Sequence, residues 1–395
     1  HAGHGPPHRG RGQEHGGCIV TIRSLTVIGL GLVGGSVALA ARRAHPGMPI
    51  RAVDTDPASI SFALKAGIAS EAATPEEAAE AGWFGPDATD LVLLGTPVVA
   101  TLTWLDELAE RGYSGIVTDV ASTKRAIVER AEALGAAYHF VGGHPMAGSE
   151  RSGVVAATPT LFDGGYYILT PSVSTDMTAY RLVHAFVTSL GARVVSVDAA
   201  AHDEAVAVVS HVPHVAAAAL VELARERADR AGADLLRLAA GGFKDMTRIA
   251  AGSPDLWTGI CLDNAPAVVA GLSDLERVLA EFRGRVELGD AEAVRAWLSG
   301  PAEVRRALPA QWVPATAELV ELSVPVTDRP GVVGIVTTAV SRAGCNIEDI
   351  EIDHQSEDSA VLRLVLTDEG DIDGLLDDLA ARGFSPLLLP LGSGD

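Results

Sequence analysis

The chain has 395 residues, of which 48% are hydrophobic and 21% charged, a composition that fits a folded protein of two or three domains and excludes wholesale disorder. Its formal net charge of −21 opposes binding to phosphate backbones, so nucleic acid is not an expected partner. Three cysteines in no paired spacing and the lack of an apolar run of roughly 18 residues predict a cytoplasmic location, with no disulfide framework and no membrane partner.

The first half of the chain alternates strands with helices. Residues 1–23 are rich in Gly, His, Pro and Arg, and predict a flexible tail. From residue 24, short apolar strands alternate with helices, which is typical of a mostly parallel sheet covered on both faces. The predicted strands are SLTVIG (24–29), PIRAVD (49–54), 90–96, 115–120, 138–143, 165–171 and 192–198. Residues 24–198 are therefore predicted to form an α/β domain.

Two further domains follow. Residues 199–315 are predicted to be helical almost throughout, beginning with one long amphipathic run that is interrupted by Pro213. More helices are expected at 233–250, 254–284 and 290–306. An all-helical block with long apolar faces often packs against a second copy of itself, so we expect a homodimer. Residues 316–395 predict the order strand, helix, strand, strand, helix, strand, which is the ferredoxin-like arrangement.

A glycine fingerprint marks the predicted cofactor site. The pattern G-x-G-x-x-G is present as Gly29, Leu30, Gly31, Leu32, Val33 and Gly34. It follows a predicted strand and opens a predicted helix, and Asp54 ends the next strand, a context that indicates a Rossmann-type dinucleotide-binding domain. Gly29 permits the tight turn, Gly31 lets the backbone approach a pyrophosphate, and Gly34 lets helix and strand pack closely.

The next two strands supply further predicted contacts. The carboxylate of Asp54 can accept hydrogen bonds from both ribose hydroxyls and would repel a 2′-phosphate, which favours NAD over NADP. Thr96 ends the strand 90–96 and is also predicted to bind the cofactor. The alternative interpretation of the fingerprint is that its glycine-rich turn serves only the packing of helix against strand and binds no cofactor.

Four segments behind the fingerprint carry a family resemblance. They are DVASTK (119–124), HPMAGSE (144–150), SHVPH (210–214) and GGFKDMTRIA (241–250). Together they resemble the prephenate/arogenate dehydrogenase family of tyrosine biosynthesis over about residues 24–300. The resemblance implies oxidative decarboxylation of prephenate to 4-hydroxyphenylpyruvate, or of arogenate to tyrosine, with hydride transfer to NAD. It also implies that the helical block is a dimerisation domain.

The implied reaction needs a neutral base for the substrate hydroxyl. His144 is predicted for this role, because a histidine near its ordinary pKa of about 6.5 can be neutral and accepting. In the family, the serine that matches Ser122 bonds the catalytic histidine and the substrate hydroxyl, although Ser122 could also cap a helix that starts near Thr123. The resemblance places His211 and His214 at the active site, and a structural role for one of them stays open. Without an adjacent glutamate they do not form a zinc pattern, so no metal is expected.

Further residues are predicted to bind the substrate. Arg248 is the candidate for a substrate carboxylate, because a guanidinium binds carboxylates bidentately and keeps its charge. Asp245 can pair with Arg248 and hold it, or the two form an ordinary surface pair. Trp257 could wall the site or lie in the core. Asp203 occupies the position that influences substrate choice in the family, where a carboxylate could attract the ammonium group of arogenate.

The C-terminal segment TDRPGVVGIVTTAVSRAGCNIEDI resembles an ACT domain, a small regulatory module that binds amino acids. The predicted effector contacts are Asp328, Pro330, Gly331, Asn346 and Ile347. Feedback regulation by tyrosine is the hypothesis, and an ACT fold kept for dimer contacts without a ligand is the alternative.

Two other functions compete with this interpretation. One is a related dehydrogenase that acts on 4-amino-4-deoxyprephenate or on another hydroxyacid, although a β-hydroxyacid enzyme usually relies on a catalytic lysine and lacks HPMAG. The other is a non-catalytic sensor of NAD and an amino acid. A sensor would need neither the base, nor its serine, nor the arginine, so their presence favours the enzyme.

Overall fold

A computed structural model describes residues 22–390, except 87, 149–150, 232–234, 308–318, 328–331, 346, 357–358 and 368–369. The larger sheet consists of β1 (Leu25–Ile28), β2 (Ile50–Val53), β3 (Glu71–Ala73), β4 (Leu91–Leu94), β5 (Ile116–Asp119), β6 (His139–Pro145), β7 (Tyr166–Thr170) and β8 (Arg193–Ser196). The helices between them are α1 (Leu32–Ala44), α2 (Pro57–Lys65), α3 (Pro75–Glu80), α4 (Val98–Glu110), α5 (Arg125–Leu134) and α6 (Met177–Ser189).

The sheet has the strand order β3-β2-β1-β4-β5-β6-β7-β8, and every pair is parallel except β6 and β7. The predicted α/β class and its seven strands are confirmed. The short β3 was not predicted, because its sequence EAA contains no apolar run. Parallel neighbours require a crossover element, and the described part of the β6–β7 connection holds only the 3₁₀ turn Val154–Ala156, which explains the antiparallel pair.

Both faces of this sheet are buried. Leu91 and Leu93 of β4 pack in one apolar cluster, while Val92 and Leu94 pack in another on the opposite face, and all four are fully buried. The alternation follows from the two-residue period of a strand. Helix α1 covers the first face, and α4 covers the second. The sheet therefore offers ligands its strand ends rather than its faces.

The helical segment contains α7 (Ala199–Val206), α8 (Val212–Ala231), α9 (Gly241–Thr247), α10 (Pro254–Asp263), α11 (Ala265–Glu287) and α12 (Ala291–Ala307). A π-helical turn, Ala207–His211, separates α7 from α8, so the long run breaks just before Pro213 rather than at it. A proline is tolerated in the first turn of a helix, where its missing N–H would have no partner, and it cannot extend the hydrogen-bond ladder of α7. The predicted helix 254–284 divides at Asn264.

The smaller sheet confirms the predicted ferredoxin-like order. It contains β9 (Leu319–Thr327), α13 (Val332–Arg342), β10 (Ile347–Ser356), β11 (Ser359–Thr367), α14 (Ile372–Ala381) and β12 (Leu387–Pro390). The strands are antiparallel in the order β10-β11-β9-β12. Fully buried Leu322 and Leu364 pack in one cluster with Val336 and Val340 of α13.

The chain forms two compact units. The first contains the larger sheet with its helices, together with α7 and α10. The second contains α8, α9, α11, α12 and the smaller sheet. Helix α7 thus begins the helical segment in sequence but belongs to the sheet unit, a placement that matters for the site described next.

Candidate active site

The glycine fingerprint closes the turn between β1 and α1. Gly29 has φ of 97°, in the left-handed region that favours glycine, and a Cβ there would lie 2.6 Å from the carbonyl oxygen of Gly95. A Cβ on Gly34 would lie 2.1 Å from the carbonyl oxygen of Gly29. The turn therefore touches the loop after β4, at the point between β1 and β4 where the strand order reverses.

The outer side of the same turn is open. Among the residues that the structure describes, none has an atom within 4 Å of a Cβ on Gly31, and none caps the N-terminus of α1 with its side chain. The other members of the fingerprint pack inward, with Leu30 buried and Leu32 and Val33 half-buried. Space beside an uncapped helix N-terminus suits a pyrophosphate, because the backbone N–H groups and the helix dipole favour negative charge. The residues present thus fit a dinucleotide.

Asp54 follows β2 and lies against the fingerprint. One carboxylate oxygen accepts a hydrogen bond from the Leu30 N–H at 2.6 Å, and the other accepts from the Asp56 N–H at 2.9 Å. Thr96 lies after β4, with its hydroxyl 2.9 Å from that of Thr101. Both predicted residues therefore lie at the carboxyl edge of the sheet, where open α/β sheets bind ligands.

A chain of hydrogen bonds leads inward from His144. Nδ1 of His144 lies 2.8 Å from Nε2 of His202, and Nδ1 of His202 lies 2.8 Å from a carboxylate oxygen of Asp203. His202 and Asp203 belong to α7 and are 1% and 3% exposed. His144 lies inside β6 rather than just after a strand, because its antiparallel pairing with Ile168 extends β6 to Pro145.

Asp203 also holds the start of α5. Its two carboxylate oxygens accept from the backbone N–H groups of Lys124 at 2.8 Å and Arg125 at 2.9 Å. Burial acts to raise the pKa of the Asp203 carboxyl, but the hydrogen bonds from His202, Arg125 and Lys124 outweigh it, and the net shift is downward. Asp203 is therefore a carboxylate at neutral pH.

These contacts correct two expectations. Ser122 does not cap α5, which begins at Arg125, and Asp203 supplies the hydrogen-bond acceptors there instead. Ser122 lies half-buried in the loop between β5 and α5. Direct attraction of a substrate ammonium by Asp203 is not supported, because this carboxylate is buried and both oxygens already accept hydrogen bonds from the protein.

A buried ion pair fixes the backbone next to His144. The Lys124 ammonium donates to the Asp119 carboxylate and, at 2.8 Å, to the carbonyl oxygen of Gly143. Asp119 in turn accepts from the Gly143 N–H at 3.0 Å. Burial lowers the pKa of Lys124, while Asp119 and Asp203 act to raise it. Three parts of the chain thus meet around the residue that precedes His144.

His202 was not among the predicted site residues, and neither was the function of the Lys124–Asp119 pair. The available signal was a histidine–aspartate dipeptide in the first helix after the last strand of the sheet. The sequence of α7 does not show which distant residues His202 and Asp203 contact. Its role emerges only from contacts with β6 and α5.

The remaining predicted residues lie on the helices. His211 ends the π turn and His214 lies in α8; both are buried, and burial lowers the pKa of His214, so it is neutral at neutral pH. Asp245 in α9 and Arg248 just after it are exposed, and no ion pair joins these two described residues. Trp257 is half-buried on α10, in the sheet unit.

Of the predicted effector contacts, Asp328, Pro330, Gly331 and Asn346 lie outside the described residues, and Ile347 opens β10. Within the described parts of the chain, no group of three or more His, Cys, Asp or Glu side chains could hold a metal ion.

Comparison with known proteins gives three family matches. Residues 37–196 match the prephenate dehydrogenase nucleotide-binding domain, residues 198–300 match the prephenate dehydrogenase dimerization domain, and residues 320–384 match the ACT domain. The chain is 35% identical over 352 residues to a prephenate dehydrogenase of Bacillus subtilis, covering 88% of this chain and 93% of that protein.

Solved structures give the same likeness. The prephenate dehydrogenase of A. aeolicus, in complex with hydroxyphenyl propionate and NAD+, matches with a TM-score of 0.69 and 31% identity, over 74% of this chain and 100% of that one. The Synechocystis arogenate dehydrogenase matches with a TM-score of 0.62 and 29% identity, over 71% of this chain and 98% of that one.

Proposed function

The chain belongs to the prephenate dehydrogenase family, and from this premise we propose that it oxidatively decarboxylates prephenate to 4-hydroxyphenylpyruvate with NAD as its cofactor. The observation that carries the proposal is the His144 ring, bonded through Nδ1 to a buried histidine–aspartate pair in the same unit as the glycine turn. Such an imidazole has the environment of a general base rather than of a surface histidine.

The nucleotide-binding residues follow from the turn. The backbone at Gly31 and the N-terminus of α1 would hold the pyrophosphate, and Asp54 would bind the adenosine ribose. Bound NAD supplies the hydride acceptor for the oxidation. A carboxylate at Asp54 opposes a 2′-phosphate, which favours NAD over NADP.

His144 takes the proton from the substrate hydroxyl as the C4 carbon is oxidised to a ketone. The ketone then draws electrons from the ring carboxylate bond, CO2 leaves and the ring becomes aromatic. Ser122, in the loop after β5, bonds the hydroxyl and the base, since a serine both donates and accepts. The assignment of His211 and His214 to the active site rests on family membership alone.

The substrate carries two carboxylates, and this chain is strongly acidic overall. A local cation is therefore needed to bind them, and Arg248 is assigned to a substrate carboxylate because its guanidinium keeps its charge when desolvated. We also assign Asp245 and Trp257 to the binding of the substrate. Arogenate is the alternative substrate.

Three features concern the whole protein. The helical segment forms a homodimer, which the large exposed apolar side chains Leu262, Leu279 and Val286 favour.

The ACT domain binds tyrosine as an effector through residues 328–331 and 346–347. Calorimetry on the full chain should give a saturable heat with tyrosine, and a flat titration at millimolar tyrosine contradicts this assignment.

The enzyme is assigned to the cytoplasm. One described helical run, Ala199–Arg230, is long and apolar enough by composition to cross a membrane, with a mean hydropathy of 1.6. It carries His202 and Asp203, whose polar partners lie in β6 and α5. A core helix of a soluble enzyme accounts for the run, because a lipid-exposed helix would not hold these groups.

The experiment that tests the function is NADH formation by the purified chain with NAD and either prephenate or arogenate. We expect turnover of prephenate, and the ratio of kcat/KM for the two substrates gives the preference. Tight NAD binding without turnover of either substrate would contradict the assignment and favour an amino-substituted relative of prephenate or a sensor.

A further inference from the structure

A buried carboxylate lies two hydrogen bonds away from the proposed base. Asp203 accepts from Nδ1 of His202, and Nε2 of His202 lies 2.8 Å from Nδ1 of His144. The two imidazole rings meet edge to face, with an interplanar angle of 78° and centroids 5.1 Å apart. The rings cross rather than stack, and the two nitrogens lie within hydrogen-bond distance of each other.

The contact between His202 and Asp203 is unusual for its position. Neighbouring residues on a helix do not ordinarily face each other. Here the Asp203 carboxylate is held in place from outside α7, because the backbone N–H groups of Lys124 and Arg125 donate to it. The start of α5 therefore aims the carboxylate at His202. Asn264 completes the cage by donating to the Asp203 carbonyl oxygen at 2.6 Å.

The proton positions along this chain follow from the chemistry of each atom. A carboxylate only accepts, so Nδ1 of His202 must carry a hydrogen. In a neutral imidazole the other nitrogen then accepts, so Nε2 of His202 receives a hydrogen bond from Nδ1–H of His144. His144 is thereby placed in the tautomer whose Nε2 is unprotonated.

We propose that Asp203 and His202 are positioning residues. They hold His144 in the Nδ1–H tautomer, whose Nε2 can accept a proton, and they stabilise the His144 ring once it is protonated. This inference rests on the proposed dehydrogenase function. During the reaction the substrate O–H bond breaks and an N–H bond forms at Nε2 of His144. The electron pair of the O–H bond becomes the second bond of the C4 carbonyl as C4 loses its hydride, for which bound NAD would be the acceptor. The positive charge that His144 gains is opposed by the Asp203 carboxylate through His202.

Other charges surround this chain of hydrogen bonds. Lys124 and Asp119 approach from β5 and the start of α5, Arg125 and Glu204 form a long ion pair at 3.9 Å, and Asp263 approaches from α10. Burial, together with the charge of Asp203, raises the pKa of Asp263. The Lys124–Asp119 pair is internally neutral, so the Asp203 carboxylate is the net charge that is bonded to His202 and, through His202, to His144.

The test compares the variants Asp203→Asn, His202→Leu and His202→Gln with Asp198→Asn as the matched control. The Asp198 side chain caps the same helix by accepting from Ala200 and Ala201, and the Asp198 backbone carbonyl, which accepts from the His202 N–H at 2.8 Å, is kept in Asp198→Asn. We expect kcat to fall about 10²-fold or more in Asp203→Asn and His202→Leu, with KM changed far less. His202→Gln should recover part of kcat, because its amide oxygen can accept from Nδ1–H of His144. The control should keep wild-type kcat.

The pH profile separates positioning from a purely structural role. A base must be unprotonated, so kcat rises with pH through the titration of His144. Without the Asp203 charge, the protonated His144 ring is less stable. The pH at which kcat rises should therefore be lower in Asp203→Asn than in the wild type. A uniform loss of kcat at every pH, or a changed prephenate-to-arogenate ratio, would overturn the proposal in favour of a structural or substrate-contact role.

A second readout does not depend on turnover. In protein labelled with 15N-histidine, the His144 ring, identified by its absence from His144→Asn, should carry its hydrogen on Nδ1 in the wild type and lose that preference in His202→Leu, which offers no acceptor to it. An unchanged tautomer in His202→Leu contradicts the proposal even if activity is lost. Absence of turnover in the wild type would overturn the proposed function, while the spectrum would still decide the tautomer.

Discussion

At the scale of single residues, the site is built from polar groups that would be costly to bury without partners. His202, Asp203, Lys124 and Asp119 are almost fully buried, and each has a hydrogen-bond partner within the sheet unit. An unpaired buried charge would cost several kcal/mol, on the order of 3–5 when one partner of an ion pair is removed. These hydrogen bonds fix the geometry around the His144 ring, which apolar packing alone would not do.

Asp54 gives a prediction at this scale. The variant Asp54→Asn keeps a side-chain acceptor for the Leu30 N–H but loses the charge that opposes a 2′-phosphate. We expect NAD binding to weaken by about 1.5–3 kcal/mol, roughly tenfold or more in Kd, and NADP binding to improve. Calorimetric titration of both nucleotides measures this.

The matched control is Asp56→Asn, which changes a neighbouring carboxylate that caps α2. Its NAD affinity should equal that of the wild type. If Asp54→Asn and Asp56→Asn bind NAD equally well, Asp54 does not contact the ribose.

At the scale of elements, the glycine turn that joins β1 to α1 is packed on one side and open on the other. Gly34 faces the packed side, where a Cβ would lie 2.1 Å from the Gly29 carbonyl oxygen. Gly31 faces the open side, where a Cβ would meet nothing within 4 Å. One glycine of the motif is thus required by packing, while the other leaves the space to which we assign the pyrophosphate.

The two alanine variants should separate these roles. Gly34→Ala should destabilise the fold by about 1–3 kcal/mol and lower Tm, because the backbone of the turn must shift. Gly31→Ala should keep the wild-type Tm but bind NAD more weakly, because the methyl group occupies the space assigned to the pyrophosphate. Thermal unfolding with and without NAD checks both. Equal Tm values for the two variants without NAD would contradict the packing argument.

Elements were predictable where the signal is local. The strands of the larger sheet and the order of the smaller one follow from apolar runs and turn residues, which each segment carries in its own sequence. The cap of α5 was missed, because the acceptor is Asp203 rather than a nearby serine. The His144–His202 contact joins residues 58 positions apart, and no period in the sequence encodes it.

At the scale of the whole molecule, the proposed catalytic cluster and the ACT domain lie in different compact units. The glycine turn and the His144 cluster lie in the sheet unit, while the ACT domain has its own antiparallel sheet and its own buried cluster. Exposed apolar side chains on the helices, such as Leu279 and Leu298, are more than 49% exposed in one copy of the chain, as expected if a second copy covers them.

The dimer is testable directly. Light scattering of the purified chain at micromolar concentration should give twice the chain mass of 40.8 kDa, because the helical faces bury each other. A mass of one chain would contradict homodimerisation, and it would leave the exposed apolar side chains without the partner assigned to them.

The most direct test of the central claim is NADH formation from prephenate and NAD by the wild type, His144→Asn and His139→Asn. His139 lies at the other end of β6 and is exposed, so its variant controls for the substitution itself. We predict turnover by the wild type and His139→Asn, and a loss of about 10²–10⁴-fold in His144→Asn with unchanged NAD affinity. Wild-type rates in His144→Asn, or no prephenate turnover by any of the three, would contradict the account.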